Sequence, residues 1–152
     1  MSLTQQQRDT IQRLWSENFL NFKEATRQAI NRENKTVYVA ISFDDSVFRD
    51  KSQNTYPHAL EALCHLTASS RLKCVAWNNM SEKDFNYYVR NILRPRGIGY
   101  DFYNENPENM IIGNDPRKPQ YDILIDIKSG FKPENSWFWI GQLFLAMERM
   151  IP

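Results

Sequence analysis

A chain of 152 residues, 41% hydrophobic and 13% aromatic, has the apolar material for one packed domain over residues 1–152 and excludes a disordered chain or two comfortable domains. Its 19 basic and 18 acidic side chains leave a formal net charge of +1, so no broad field attracts nucleic acid or an anionic membrane surface. No run reaches the roughly 20 apolar residues of a membrane span, and the charged opening segment holds no signal-peptide core; a cytoplasmic protein is expected, non-classical secretion aside.

Residues 4–32 read as one amphipathic helix, opened by Thr4 and Gln7 at capping-box spacing. Ile11, Leu14, Trp15, Phe19, Phe22, Ala25, Ala29 and Ile30 recur on a single stripe, which must be buried on the body of the domain or on a second copy. The turn-forming run Asn31-Arg32-Glu33-Asn34 ends the helix, and the first strand is expected over 36–43. After a polar loop, Pro57 starts a helix with Leu60, Leu63 and Leu66 facing inward. A second strand, 72–77, leads to a helix capped by Ser81 and Asp84, with Phe85, Tyr88, Val89 and Ile92 on its apolar face and its end before Pro95.

A short third strand is expected over 98–103. The fourth, 121–127, is nearly all apolar, as a strand buried on both faces of a parallel sheet would be. The last helix, about 136–150, is apolar on almost every side between Trp137 and Met147. Such a helix is either wedged beneath the amino-terminal helix or docked on another chain, so a protein partner or self-association through the apolar helices is the companion expectation. Strands alternating with helices in this order predict an α/β fold, a doubly wound, Rossmann-like parallel sheet with flanking helices over 36–150 and an extra helix in front. Cys64 and Cys74 form no C-x-x-C pair and read as buried free thiols. His58 and His65 share a helix face without a third metal ligand.

The most informative stretch is Val37–Val47, V-Y-V-A-I-S-F-D-D-S-V, an apolar strand running into an acid-bearing turn. Turns at the carboxyl ends of parallel strands are where α/β proteins present chemistry. The stretch resembles the first motif of the haloacid dehalogenase-like (HAD-like) phosphatases, a hydrophobic run followed by D-x-D-G-T. Ser42 stands in the position of that family's aspartate nucleophile, Asp44 in that of the general acid/base, and Ser46 in that of the threonine. Asn78 ends the second strand where the family has a Ser or Thr that binds phosphoryl oxygens. Lys118, in Arg117-Lys118, stands where a basic residue stabilises charge on the phosphoryl group. Asp126 and Ile127 stand where one or two aspartates hold Mg²⁺.

Over about residues 36–146 the resemblance is to the small, capless members of that family, and what it implies is a fold retained with its centre altered. A carboxylate in the nucleophile's position makes a reactive acyl phosphate, whereas a serine hydroxyl needs a base and would leave a far more inert ester. Ile127 removes a second acid, leaving Asp126 as the one clear carboxylate for an ion that prefers six oxygens, so Mg²⁺ is expected to bind weakly or not at all. The expectation is a catalytically degenerate, HAD-like domain that serves as a binding or scaffolding protein and can hold a phosphorylated ligand. The alternative is a Mg²⁺-dependent phosphatase in a shifted register, with Asp44 as nucleophile and Asp45 beside it.

Overall fold

The computed structural model describes residues 2–17, 19–49, 54–78, 80–104 and 121–152. Its centre is Val37–Ile41 (β1), in which three β-branched residues, a tyrosine and an alanine are buried along the whole length. Leu72–Ala76 (β2), Phe102–Tyr103 (β3) and Ile123–Ile125 (β4) complete a four-stranded parallel sheet in the order β3-β2-β1-β4. Val37 to Ile41 pair in register with Leu72 to Ala76, and Val39 to Ile41 pair on the other side with Ile123 to Ile125.

The two outer strands begin later than the sequence pattern predicts, and for the same reason; β4 also ends at Ile125, where Asp126 opens the turn Ile127–Ser129. Asp101 donates its N–H to the Cys74 carbonyl (2.9 Å) and accepts the Cys74 N–H on its carboxylate (2.8 Å). Asp122 treats Tyr38 identically, at 2.8 Å for both bonds. In each case a side chain takes over the strand neighbour's N–H, and regular pairing begins only beyond it.

The expected single helix over 4–32 is two helices, Gln5–Ser16 (α1) and Phe22–Ile30 (α2). Between them Leu20 (φ 48°) and Asn21 (φ 63°) take left-handed backbone conformations that no helix can contain. The break lets α2 sink Phe22, Ala25 and Ala29 into the core while α1, which has no fully buried residue, rests on the surface through Ile11, Leu14 and Trp15. The side chain of Phe19 lies outside the described residues. The Thr4–Gln7 capping box forms as expected.

Ala59–Ala68 (α3) starts two residues after Pro57, because His58 is left-handed (φ 65°). Glu82–Tyr88 (α4) is capped by the Ser81 side chain. It then continues through a wide turn, Val89–Leu93, and a tight one, Arg94–Arg96, so the helical path passes Pro95 instead of stopping before it. Pro95 sits at the start of that last turn, where a missing N–H costs little.

Pro133–Met150 (α5) is wedged against α3, α1 and α2, with Trp137, Ile140, Leu143, Phe144 and Met147 buried. Gly141 sets the approach to α3, since a Cβ there would lie 3.3 Å from the His65 ring and 3.4 Å from Ala62. At its far end Glu148 accepts hydrogen bonds from the hydroxyls of Ser69 and Ser70 and from the N–H groups of Ser70 and Arg71. Partial burial works against its charge, but those bonds together outweigh it and hold the carboxyl below the usual range.

One face of the sheet carries the main core, built from β1, β2 and β4 with α2, α3, α4 and α5. The other face gathers Tyr38, Ala40 and Val75 with Trp77, Phe102 and Leu124, and among the described residues no helix joins that cluster. Both cysteines are free; burial, with Asp101 nearby, pushes the Cys74 thiol far up, as suits an inert core sulfur. No helix of the described residues is long and apolar enough to cross a membrane.

The Arg32–Asp122 ion pair closes the amino-terminal end of the sheet beside β1 and β4. Asp122, with its side chain 3% exposed, is gripped by the Arg32 guanidinium, which also donates to the Thr36 carbonyl at 2.8 Å. Asp122→Ala leaves the Tyr38 N–H without its acceptor and the guanidinium with the Thr36 carbonyl but no counter-charge. The expected loss is about 3 kcal/mol in a urea titration, the low end for a buried pair because Arg32 still meets water; a midpoint equal to that of the parent chain would contradict the assignment.

Candidate functional site

Along the chain β1, β2 and β3 are added successively to one side, and β4 is then placed on the opposite side of β1. The direction of winding therefore reverses between β1 and β4. In open α/β sheets ligands bind outside the carboxyl ends of the strands at such a point. Ser42 leaves β1 there, donating its N–H to the Ile125 carbonyl at 3.1 Å, and Asp126 follows Ile125 directly. Asn78 stands just past the end of β2, whose Trp77 N–H donates to the Ile41 carbonyl at 3.0 Å. Ser42, Asp44, Asn78 and Asp126 thus share one edge of the sheet. Lys118 and Arg117 lie outside the described residues.

The loop after β1 turns sharply back into the core. Val47 and Phe48 both donate their N–H groups to the Phe43 carbonyl at 3.1 Å, and Asp45 adopts a left-handed conformation (φ 65°). Phe43 and Phe48 are buried, Phe43 edge-on to Phe85 (5.5 Å between centroids) and Phe48 stacked on Tyr88 (4.1 Å). These aromatics pin the polar residues between them.

Each polar group then has a defined task. The Ser42 hydroxyl donates to the Asp44 carboxylate at 3.1 Å. The amide oxygen of Asn78 accepts the Phe43 N–H at 2.7 Å. Asn78 is 6% exposed, and its Nδ2 group is buried without a hydrogen-bond partner among the described residues. Ser46 is fully buried: its hydroxyl accepts the Ile127 N–H at 3.3 Å and its carbonyl accepts the Trp137 indole N–H at 2.8 Å. Asp126 caps the turn Ile127–Ser129 by accepting the Lys128 N–H at 3.0 Å, and its carbonyl accepts the Ser129 hydroxyl at 2.7 Å. Ile127 is 39% exposed at the surface of that turn.

An anion at the end of β1 would seek the first backbone N–H groups of the loop, and the Phe43 N–H is already held by the Asn78 amide oxygen. Among the described residues the donor set at these positions also offers Mg²⁺ little. Ser42 offers a neutral hydroxyl, Ile127 offers nothing, and the Asp126 carboxylate is turned to its own loop. Among the described residues no three His, Cys, Asp or Glu side chains gather at metal-binding distance.

Three participants escape a reading of the sequence. Asn104, left-handed at φ 48°, accepts the Asn78 N–H on its side chain (2.8 Å) and returns a bond from Nδ2 to the Asn78 carbonyl (3.2 Å). An Asn just after a strand is a familiar left-handed position, which is the one signal that could have marked it. Trp137 fixes Ser46 from a distant helix. Tyr103 lies close enough to Asp44 to feel its charge: burial raises the phenol, and Glu82, Tyr100 and Asp44 raise it further.

Neither a protein-family model, nor a curated protein, nor a solved structure matches this chain.

Asn78→Ala removes the acceptor of a buried backbone N–H. A destabilisation of about 1–3 kcal/mol in chemical unfolding is expected; no loss would mean that water or a rearranged loop satisfies Phe43 and that Asn78 does not organise the turn.

Proposed function

We propose that this chain is a catalytically degenerate HAD-like domain, a doubly wound fold whose crevice at the carboxyl edge binds a ligand or partner in place of transferring phosphoryl groups. The observation that carries the reading is the Ser42–Asp44 pair: an alcohol stands in the nucleophile's position, with its proton directed to the carboxylate beside it. A carboxylate is a weak base toward an alcohol, and without a stronger one the hydroxyl is a poor nucleophile for phosphorus. The strand order β3-β2-β1-β4 and the gathering of Ser42, Asp44, Asn78 and Asp126 at one edge support the family reading.

The remaining groups support a centre without turnover. Asn78 is engaged with the backbone of the loop, Ser46 is buried as a bridge between loops, and Asp126 caps its own turn. Leu3, Ile11, Trp15, Leu145 and Met150 line an apolar groove of about 360 Å³ between α1 and α5, and self-association there is the partner mode this reading carries.

One observation favours the alternative of a phosphatase working through Asp44, since that half-buried residue lines an open cleft. An assay with a generic aryl phosphate and millimolar Mg²⁺ separates the two. The expected result is no turnover above the buffer rate, unchanged in Asp44→Asn. Mg²⁺-dependent turnover that Asp44→Asn abolishes would establish the alternative.

A further inference from the structure

Among the described residues, helix α1 is held to the body of the chain by apolar contact alone. Gln5 donates to Asp9, Arg8 to the Leu3 carbonyl, Thr10 to the Gln6 carbonyl and Arg13 to Glu17, and the capping box joins Thr4 to Gln7. No side-chain hydrogen bond or ion pair of residues 3–17 to another described residue leaves that segment. The seat of α1 is also loose. None of its residues is fully buried, and the groove of about 360 Å³ between α1 and α5 stays open beside Ile11 and Trp15. Such a helix carries its polar bonds with it and can leave its seat without stranding a buried donor or acceptor.

The link between α1 and α2 is strained. Leu20 and Asn21 are both left-handed (φ 48° and 63°), a conformation that the Cβ of a leucine opposes. Asn21 tolerates it better, but its exposed side chain makes no capping hydrogen bond in return. The apolar spacing nevertheless runs across the break as if it were absent. Ile11, Leu14 and Trp15 before it and Phe22, Ala25 and Ala29 after it lie on one helical stripe. What holds the break is the packing of the half-buried Leu20 against the core. Local pattern and tertiary packing therefore disagree at Leu20–Asn21, and the conflict ends when those two residues turn helical, which carries α1 away from its own α5.

We propose that α1 exchanges between two copies of this chain: the break at Leu20–Asn21 opens, and α1 of each copy takes the seat on α5 that the other copy's α1 has left. The interface so formed is the α1–α5 contact already present within one chain, so no new complementarity has to be found. The left-handed residues are released in both copies, which favours the exchanged pair. The inference rests on the reading that the chain self-associates at the α1–α5 groove and names how that association is made; it is independent of whether the crevice at Ser42 and Asp44 turns over a substrate.

Sedimentation equilibrium of the full-length chain reads the dissociation constant of the dimer, and the exposed position 21 supplies variants of opposite sign. Asn21→Ala favours the helix and penalises the left-handed break, so it should strengthen the dimer. Asn21→Gly does the reverse and should weaken it. The two constants should differ by about tenfold or more, because each dimer contains two breaks. In a one-to-one mixture of ¹³C,¹⁵N-labelled and unlabelled chains, unfolded and refolded together, isotope-filtered nuclear Overhauser contacts should connect Ile11 or Trp15 of one copy with Leu145 of the other. A chain that stays monomeric in both variants overturns the exchange and self-association with it. A dimer with equal dissociation constants in the two variants, or one without those contacts between copies, overturns the exchange alone and leaves association through the open groove standing.

Discussion

The structure depends on the central strand β1 having both edges paired and both faces covered. Every N–H and carbonyl at its ends must then find a partner inside the protein, because an unpaired buried polar group costs about as much as the hydrogen bonds that stabilise the sheet. At the amino end the Asp122 carboxylate takes the Tyr38 N–H, and Arg32 neutralises the charge this introduces. At the carboxyl end the Ser42 N–H goes to Ile125 and the Phe43 N–H to the Asn78 side chain. The strand fixes where the polar side chains must stand.

This constraint links fold to function. The residues at the carboxyl edge are those that an enzyme of this architecture would aim at a substrate, and most of them face the protein's own backbone. Asn78 holds the loop, Ser46 ties it to the next turn and to Trp137, and Asp126 caps that turn. Asp44 is different: its carboxylate receives the Ser42 hydroxyl and still lines a cleft.

Much of the scaffold was legible in the sequence because it follows from local patterns. The unbroken apolar run of β1 announced a strand covered on both faces, the nearly all-apolar run around β4 announced its neighbour, and the Thr4–Gln7 and Ser81–Asp84 spacings marked helix starts. The break at Leu20–Asn21 was not legible, since the hydrophobic stripe passes through it without interruption and a leucine at positive φ is imposed by tertiary packing. The late starts of β3 and β4 were hidden for a similar reason: Asp101 and Asp122 replace regular pairing with side-chain bonds that connect residues 27 and 84 positions apart. For the site, position along the strands was readable and orientation was not. Ser42 and Asp126 come together because β4 pairs with β1, but that Asn78 would face Phe43 and Ser46 would face Ile127 emerges only when the loop closes.

On the reading proposed above, Ser42 stands in the position of a nucleophile and does not accept a phosphoryl group. Intact-mass spectrometry of the chain after incubation with acetyl phosphate and Mg²⁺ tests it most directly, because a serine ester would be inert enough to survive the measurement. An unchanged mass is the expected result. A chain heavier by one phosphoryl group, with the adduct lost in Ser42→Ala, would contradict it.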